Sequence, residues 1–308
     1  ITGTEVSKGA ADMVLTDDNF ASIVAAVEEG RTIYDNIRKF VLFLLSSNIG
    51  EILVMFVGIL VGLPVPLLAI QILWVNLVTD GLPAIALGFD PTEAGVMQRP
   101  PRPQHESIFA QGIGRKIITR SILLAVLTLG AFLYGHSAHG LDAFSHTLGL
   151  EKFSAAQMTD LLGSAPLDWD NLTEADRRVR LETVEGDSHE SQSELVSQAD
   201  RIPRTIAFTV LALGQIFHVM SIHAGDKRSF FRVWFSHNRL MLWAVLSTFI
   251  LQFAVIYLPF LQDTFETYPI RLTEMVGVLL LASVMLFGAE AEKWITLRMQ
   301  SGMRTAAL

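Results

Sequence analysis

The sequence predicts an all-α membrane protein of six transmembrane helices, preceded by a short soluble α/β segment. Three observations carry that expectation. Of its 308 residues 51% are hydrophobic and the mean hydropathy is +0.42, too apolar for an ordinary soluble domain. Apolar runs of about 20 residues, the length that crosses a hydrocarbon layer as a helix, fall at 40–61, 66–88, 115–135, 204–224, 239–260 and 271–291. Lys and Arg gather on alternate flanks of these runs. The chain has no cysteine, which excludes a disulfide framework and a thiolate metal site, and its net charge of −8 argues against a nucleic-acid partner. The partner expected from composition is the lipid bilayer.

Residues 1–39 read as a short helix, a strand about Met13–Leu15, a turn at Asp17-Asp18-Asn19 and a helix capped by Asn19 or Asp18. Ile23, Val27, Ile33 and Ile37 recur near helical spacing, as in an amphipathic stalk that runs into the first span. The chain opens on Ile1 within a polar run and without a signal peptide, so it is expected to be a piece of a longer polypeptide. Of the six spans, the second and fourth are the weakest because polar residues interrupt them. Arg31, Arg38 and Lys39 precede the first span; Arg99, Arg102, Arg115, Lys116 and Arg120 lie between the second and third. Lys227, Arg228, Arg232 and Arg239 lie between the fourth and fifth, and Lys293, Arg298 and Arg304 follow the sixth. By the positive-inside rule these flanks, and both termini, are cytoplasmic.

The connections 62–65, 136–203 and 261–270 are then external. Over 142–200 there are 13 acids against 4 bases, the reverse of an internal loop, and Ser/Gln-rich surroundings suggest a solvated acidic domain rather than a calcium-collecting one. His136, His139 and His146 have no matching ligand set nearby in sequence, so a metal site there is not expected. Four regions follow: 1–39, 40–135, 136–203 and 204–308.

The informative residues are polar ones at membrane depth, which are costly there and mark a protein interior or a water-filled path. Asn48 and Glu51 lie three apart near the middle of the first span; Asn76, Thr79 and Asp80 lie at i, i+3 and i+4 in the second, so each set shares a helix face. Carboxylate, amide and hydroxyl oxygens without His or Cys suit calcium, magnesium, sodium or protons, not zinc or copper. In Gly81-Leu82-Pro83 the proline has no N–H, so the carbonyl of Thr79 loses its helical partner and is free to face an ion. For Thr79 alone, simple bonding between helices around a proline kink is an equal reading; Glu51 and Asp80 together favour an ion site. In the fourth span Gln215 offers either a ligand oxygen or a cross-helix hydrogen bond, and His218 and His223 read as packing or interfacial residues. Glu290 and Glu292 belong to the cytoplasmic exit of the last span.

"FLLSSNIGEILVMF", "IQILWVNLVTDGLPAIALGFDP" and "VMQRPPR" resemble the fifth and sixth membrane helices and the following loop of calcium-transporting P-type ATPases of the sarcoplasmic-reticulum and secretory-pathway type. The opening "GTEVSKGAADMVLTDDNFASIVAAVEEGRTIYDNIRKF" is similar to the end of that family's α/β phosphorylation domain and its stalk. The resemblance is most specific up to about residue 103; beyond it, four further spans occur in the right order. It implies that the six spans are helices five to ten of a ten-helix pump. Asn48 and Glu51 would be ligands from the fifth helix, and Asn76, Thr79 and Asp80 ligands from the sixth. Sodium/potassium pumps carry Asp in place of Asn76, so calcium is the implied cargo.

One departure is Gln215, where the two-site calcium pumps have Glu in the eighth helix; its loss implies one calcium per cycle. The family's DKTGT aspartate and its ATP and magnesium residues do not occur here, so ATP and Mg2+ would bind in an upstream part of the same polypeptide. The implied setting is the plasma (inner) membrane. The alternatives are a P-type pump for manganese, sodium or magnesium, and a non-catalytic membrane fragment.

Overall fold

A computed structural model describes residues 3–17, 19–103, 105–139, 141–143, 147–148, 168–173, 175–177, 200–226, 228–235 and 238–306. The first helix, α1 (Glu5–Ala10), is capped by Thr4, whose hydroxyl accepts from the Ser7 N–H at 3.2 Å. No strand forms at Met13–Leu15, contrary to expectation. A strand needs a partner for its backbone N–H and C=O groups, and among the described residues no segment pairs with it; Met13 and Val14 are exposed. Asn19 supplies the next cap, accepting from the Ala21 N–H at 3.0 Å, while Asp18 lies outside the described residues.

From this cap α2 (Phe20–Leu60) runs for 41 residues, joining the stalk and first span in one helix of about 60 Å. The second span is divided into α3 (Ala69–Trp74), a π-helical turn at Val75–Thr79, and α4 (Gly81–Gly88). The remaining spans are α5 (Ile113–Ala138), α6 (Arg201–His223), α8 (Arg239–Tyr257) and α10 (Leu272–Ala306); short helices α7 (Phe230–Val233) and α9 (Pro259–Phe265) precede and follow α8. After α5, β1 (Leu141–Asp142) and β2 (Thr147–Leu148) pair antiparallel over two residues each. Most of the acidic segment at 136–203, including Glu182, Glu185, Asp187, Glu190, Glu194 and His146, lies outside the described residues.

Two boundaries differ from expectation. The fifth span stops at Tyr257 and not at 260, because Leu258 precedes a proline and takes an extended backbone (φ −86°, ψ 120°), after which Pro259 opens α9. The first half of the connection expected at 261–270 is therefore helical, up to Phe265. The last helix continues well past 291 as a mirror of the stalk. Six helices are long and apolar enough to cross a membrane, and the protein is an integral membrane protein.

The apolar window of α6 is 94% buried, whereas those of the other five spans are 33–50% buried. It is the central helix, packed on α5 and α10 and touching α2, α4 and α8. That position explains how a span with Gln215 and His218 in it is tolerated: its polar groups meet protein and not lipid. Leu124 of α5 is the wedge between neighbours: a Cβ at Gly50 of α2 would lie 2.9 Å from its Cδ2, and one at Gly214 of α6 would lie 3.0 Å from its Cδ1. Close helix approach at small residues is the packing a bilayer favours. Outward, Ile52, Phe56, Ile59, Leu77, Ile122, Val126, Trp243, Ile250 and Leu280 are exposed, an apolar surface that lipid tails cover.

The bundle thus has a stalk side, which carries the N-terminal half of α2 and the C-terminal part of α10, and a far side. On the far side His136 Nε2 lies 3.3 Å from Asp200 Oδ1, and His139 Nε2 3.1 Å from Glu274 Oε1. Each of these two histidines faces a single carboxylate, and among the described residues no three His, Cys, Asp or Glu side chains converge. Burial is the main cause that holds the His139 imidazole below its ordinary value, against the pull of Glu274. A lowered pKa in the folded state means that the unfolded chain binds the proton more tightly. The stabilisation is therefore complete above the unfolded value of about 6.5 and is lost as pH falls through the folded one. Thermal unfolding in detergent is expected to show a midpoint that declines on mild acidification, with a shallower decline in His139→Gln.

Candidate ion site

The second span is fastened at both ends and irregular between them. At the far side Gln71 Oε1 accepts from the Leu68 N–H at 3.1 Å, its Nε2 donates to the Phe265 carbonyl of α9 at 3.0 Å, and Trp74 Nε1 donates to Gln252 Oε1 of α8 at 3.1 Å. In the middle, the Asp80 N–H donates five residues back to the Val75 carbonyl at 2.8 Å, and the Ala84 N–H reaches the Asp80 carbonyl at 2.9 Å. Proline explains this local form. In one continuous α-helix Pro83 would clash with the Thr79 carbonyl; with a π turn and a fresh start at Gly81, it occupies the first turn of α4, where N–H groups have no helical partner anyway. Single π turns of this kind concentrate at functional sites.

Glu51 of α2 is the centre of the constellation. Its Oε2 accepts from Asn76 Nδ2 at 2.9 Å and its Oε1 from Gln215 Nε2 at 2.8 Å, so one carboxylate joins α2, the π turn and α6. Asn76 Nδ2 also donates to the Ile72 carbonyl at 3.0 Å, and Asn48 Nδ2 to the Leu44 carbonyl at 2.7 Å, which directs their amide nitrogens to protein acceptors. Glu51 is 4% exposed, Thr79, Asp80 and Gln215 are 0% exposed, and Asn48 and Asn76 are half-buried. Among the described residues, both Asp80 carboxylate oxygens, Thr79 Oγ1, Gln215 Oε1 and Ser47 Oγ are buried without a hydrogen bond of good geometry, the Ser47 side chain lying beside the Asp80 carboxylate.

This is a set of oxygen lone pairs in a dry interior, where an unpaired carboxylate costs several kcal/mol. A hard cation or a proton would relieve the cost. Calcium takes 6–8 oxygens at about 2.3–2.6 Å, and the carboxylates, amide and hydroxyl oxygens here are ligands of that type. Nothing in the set suits a soft metal. Ser47 was not anticipated, although it lies four residues before Glu51 and hence on the same face, a signal present in the sequence.

The other polar residues sit elsewhere. His218 is fully buried, with Nδ1 3.4 Å from Ser46 Oγ and Nε2 3.3 Å from Arg120 Nη1; His223 Nδ1 is 2.7 Å from Asp90 Oδ1. Gln252 holds Trp74, and Glu274 Oε2 accepts from the Arg271 N–H at 3.1 Å. Glu290 and Glu292 pair with Lys293 at 2.7 Å and Arg120 at 3.3 Å.

The family model "Cation transporting ATPase, C-terminus" matches residues 64–295, about three quarters of the chain. The chain belongs to this family. This ATPase C-terminal chain is 40% identical over 270 residues to a calcium-transporting ATPase of Bacillus subtilis, a match covering 88% of the chain and 24% of the relative. It is 37% identical over 284 residues to calcium-transporting ATPase 1 of Bacillus cereus, covering 92% and 27%. It is 33% identical over 308 residues to the endoplasmic reticulum-type calcium-transporting ATPase 4 of Arabidopsis thaliana, covering 99% and 28%. The chain therefore spans about a quarter of the length of these relatives. The likeness extends across all six spans and not only the first two.

The two carboxylates are expected to respond oppositely to neutral substitution. In calcium-free detergent at mildly alkaline pH, Asp80→Asn removes an unpartnered buried charge and raises the thermal midpoint. Glu51→Ala strands the Asn76 and Gln215 amides and costs about 1–3 kcal/mol for each donor left unpaired. Paired thermal melts check both signs.

Proposed function

We propose that the chain is the ion-translocating part of an ATP-driven P-type calcium pump, moving one calcium per cycle against protons. The observation that carries this reading is Glu51, tied to Asn76 and Gln215 beside the unpartnered oxygens of Asp80, Thr79 and Ser47. The relatives named above are calcium-transporting ATPases, which supports calcium as cargo. A neutral amide at Gln215 leaves the site two carboxylates, enough charge to balance one divalent ion.

In this reading Glu51, Asn76, Thr79 and Asp80 hold calcium, with Asn48, Ser47 and Gln215 as neutral oxygens around them. Asn48 and Asn76, half-buried, form the open side at which ligands from an upstream helix of the same polypeptide would complete the shell. ATP and Mg2+ would act in upstream domains, with the stalk side cytoplasmic. Phosphorylation there tilts the stalk; because α2 is one helix from Phe20 to Leu60, the tilt displaces Glu51 relative to Asp80. Oxygens spaced for calcium are pulled apart, affinity drops, and the ion leaves toward the far side. The vacated carboxylates then take protons, since an unpaired charge is costly there, and these return as the counter-ion.

The test is phosphorylation from ATP in a full-length pump carrying this chain. Asp80→Asn is expected to reduce calcium-dependent phosphoenzyme at micromolar calcium to background; normal calcium-dependent phosphorylation in that variant would refute the assignment. Manganese, sodium and magnesium competing in the same assay identify the cargo.

A further inference from the structure

The segment after α4 is laced to the stalk, and one carboxylate in it gathers ties from three other helices. Asp90 is 3% exposed. Its Oδ1 accepts from Asn238 Nδ2 at 2.6 Å and lies 2.7 Å from His223 Nδ1, while its Oδ2 accepts from Lys39 Nζ at 3.2 Å. Its backbone carbonyl accepts from Asn36 Nδ2 at 2.8 Å. Lys39 and Asn36 belong to α2 and His223 ends α6. Asn238 caps α8 by accepting from the Met241 N–H at 3.0 Å. The same side-chain amides also hold the last turn of α4 directly: Asn36 Nδ2 reaches the Gly88 carbonyl at 3.3 Å, and Asn238 Nδ2 the Ala86 carbonyl at 3.1 Å.

Asp90 is two residues beyond α4, and Asp80 is immediately before it. The stalk helix therefore grips this stretch twice, by Glu51 to Asn76 at the ion site and by Lys39 and Asn36 to Asp90 at the stalk side. A single attachment would leave α4 free to pivot against α2; the second fixes the angle at which α4 lies on it. Losing the second is costly, because it leaves a buried charge uncompensated, so Asp90 holds the helices that meet there in one arrangement.

We propose that Asp90 is the positioning residue that holds α4, and with it Asp80 and Thr79, in the cation-binding arrangement against the stalk, and so sets the cation affinity of the ion site without touching the cation. This rests on the pump reading above. Asp90 holds α4 against α2 on one side and against α6 and α8 on the other. The spacing between the Glu51 and Asp80 carboxylates is then determined at a point outside the ion site.

The experiment measures phosphorylation from ATP against free cation in the full-length pump carrying this chain, using Asp90→Ala and Asp90→Asn. Asp90→Ala is expected to raise the calcium concentration for half-maximal phosphorylation by about tenfold, the weight of one charge-assisted hydrogen bond, with the maximum at saturating calcium retained. Asp90→Asn keeps one acceptor oxygen but loses the Lys39 ion pair, so it falls between wild type and Asp90→Ala. Asp226→Asn breaks a neighbouring ion pair, Lys116 to Asp226 at 2.5 Å, that does not involve α4. Lys116 is buried but the Asp226 side chain is largely exposed, so solvent weakens the pair and the variant should stay within roughly threefold of wild type.

The inference is overturned if both Asp90 variants keep the wild-type half-saturation, or if they lower only the maximum, as loss of folded protein would. Should Asp90→Ala not fold, Asp90→Asn alone decides between these outcomes. Failure of the pump reading is separate: it shows in the wild type, as phosphorylation independent of calcium. The variants are then compared on whichever cation the wild type requires.

Discussion

Two carboxylates in a medium that cannot hydrate them impose the arrangement of the whole bundle. Glu51 is made tolerable by amide N–H groups from two different helices, and for that α6 must stand in the middle of the bundle, where Gln215 reaches α2. A central helix has to be approached closely on several sides, and the glycines at 50 and 214 that admit Leu124 allow it. Asp80 is left with unpartnered oxygens, and in the proposed function the cost of burying them is what gives the site its affinity for a cation or a proton. Stability and function therefore pull in opposite directions at Asp80, as they do wherever binding groups are held ready in a dry interior.

The irregular backbone of the second span belongs to the same constraint. A regular α-helix would satisfy its own carbonyls and present the side chains of 76, 79 and 80 as one stripe. The π turn makes room before Pro83 and brings Asp80 to the start of a new helix, whose partial positive end favours a carboxylate nearby. Such a distortion is affordable only where the flanks are held. Gln71 and Trp74 hold the far side and Asp90 the stalk side, so the weak point lies between two strong ones.

Much of this could be read before any coordinates. The six spans follow from apolar runs of bilayer length, and Asn48, Glu51, Asn76, Thr79 and Asp80 stand out as candidate ligands from the cost of putting polar groups at that depth. The expected helix break at 81–83 coincides with the start of α4 at Gly81, whereas the π turn before it was not legible, since nothing local distinguishes it from a simple interruption of the helix. The strand at Met13–Leu15 was legible as a propensity only; pairing is not a local property. Ser47 was readable from its spacing to Glu51, and Asp90 was not, since its partners lie at 36, 39, 223 and 238.

By itself, the sequence determined the class of protein, the lengths of its spans and the chemistry of its polar residues, because bilayer thickness and desolvation act on each segment separately. Tertiary structure decided which oxygens are left unpaired, which helix is central and how the stalk is joined to the site. Those depend on hydrogen bonds between residues as far apart as Glu51 and Gln215, and such bonds exist only once helices have packed.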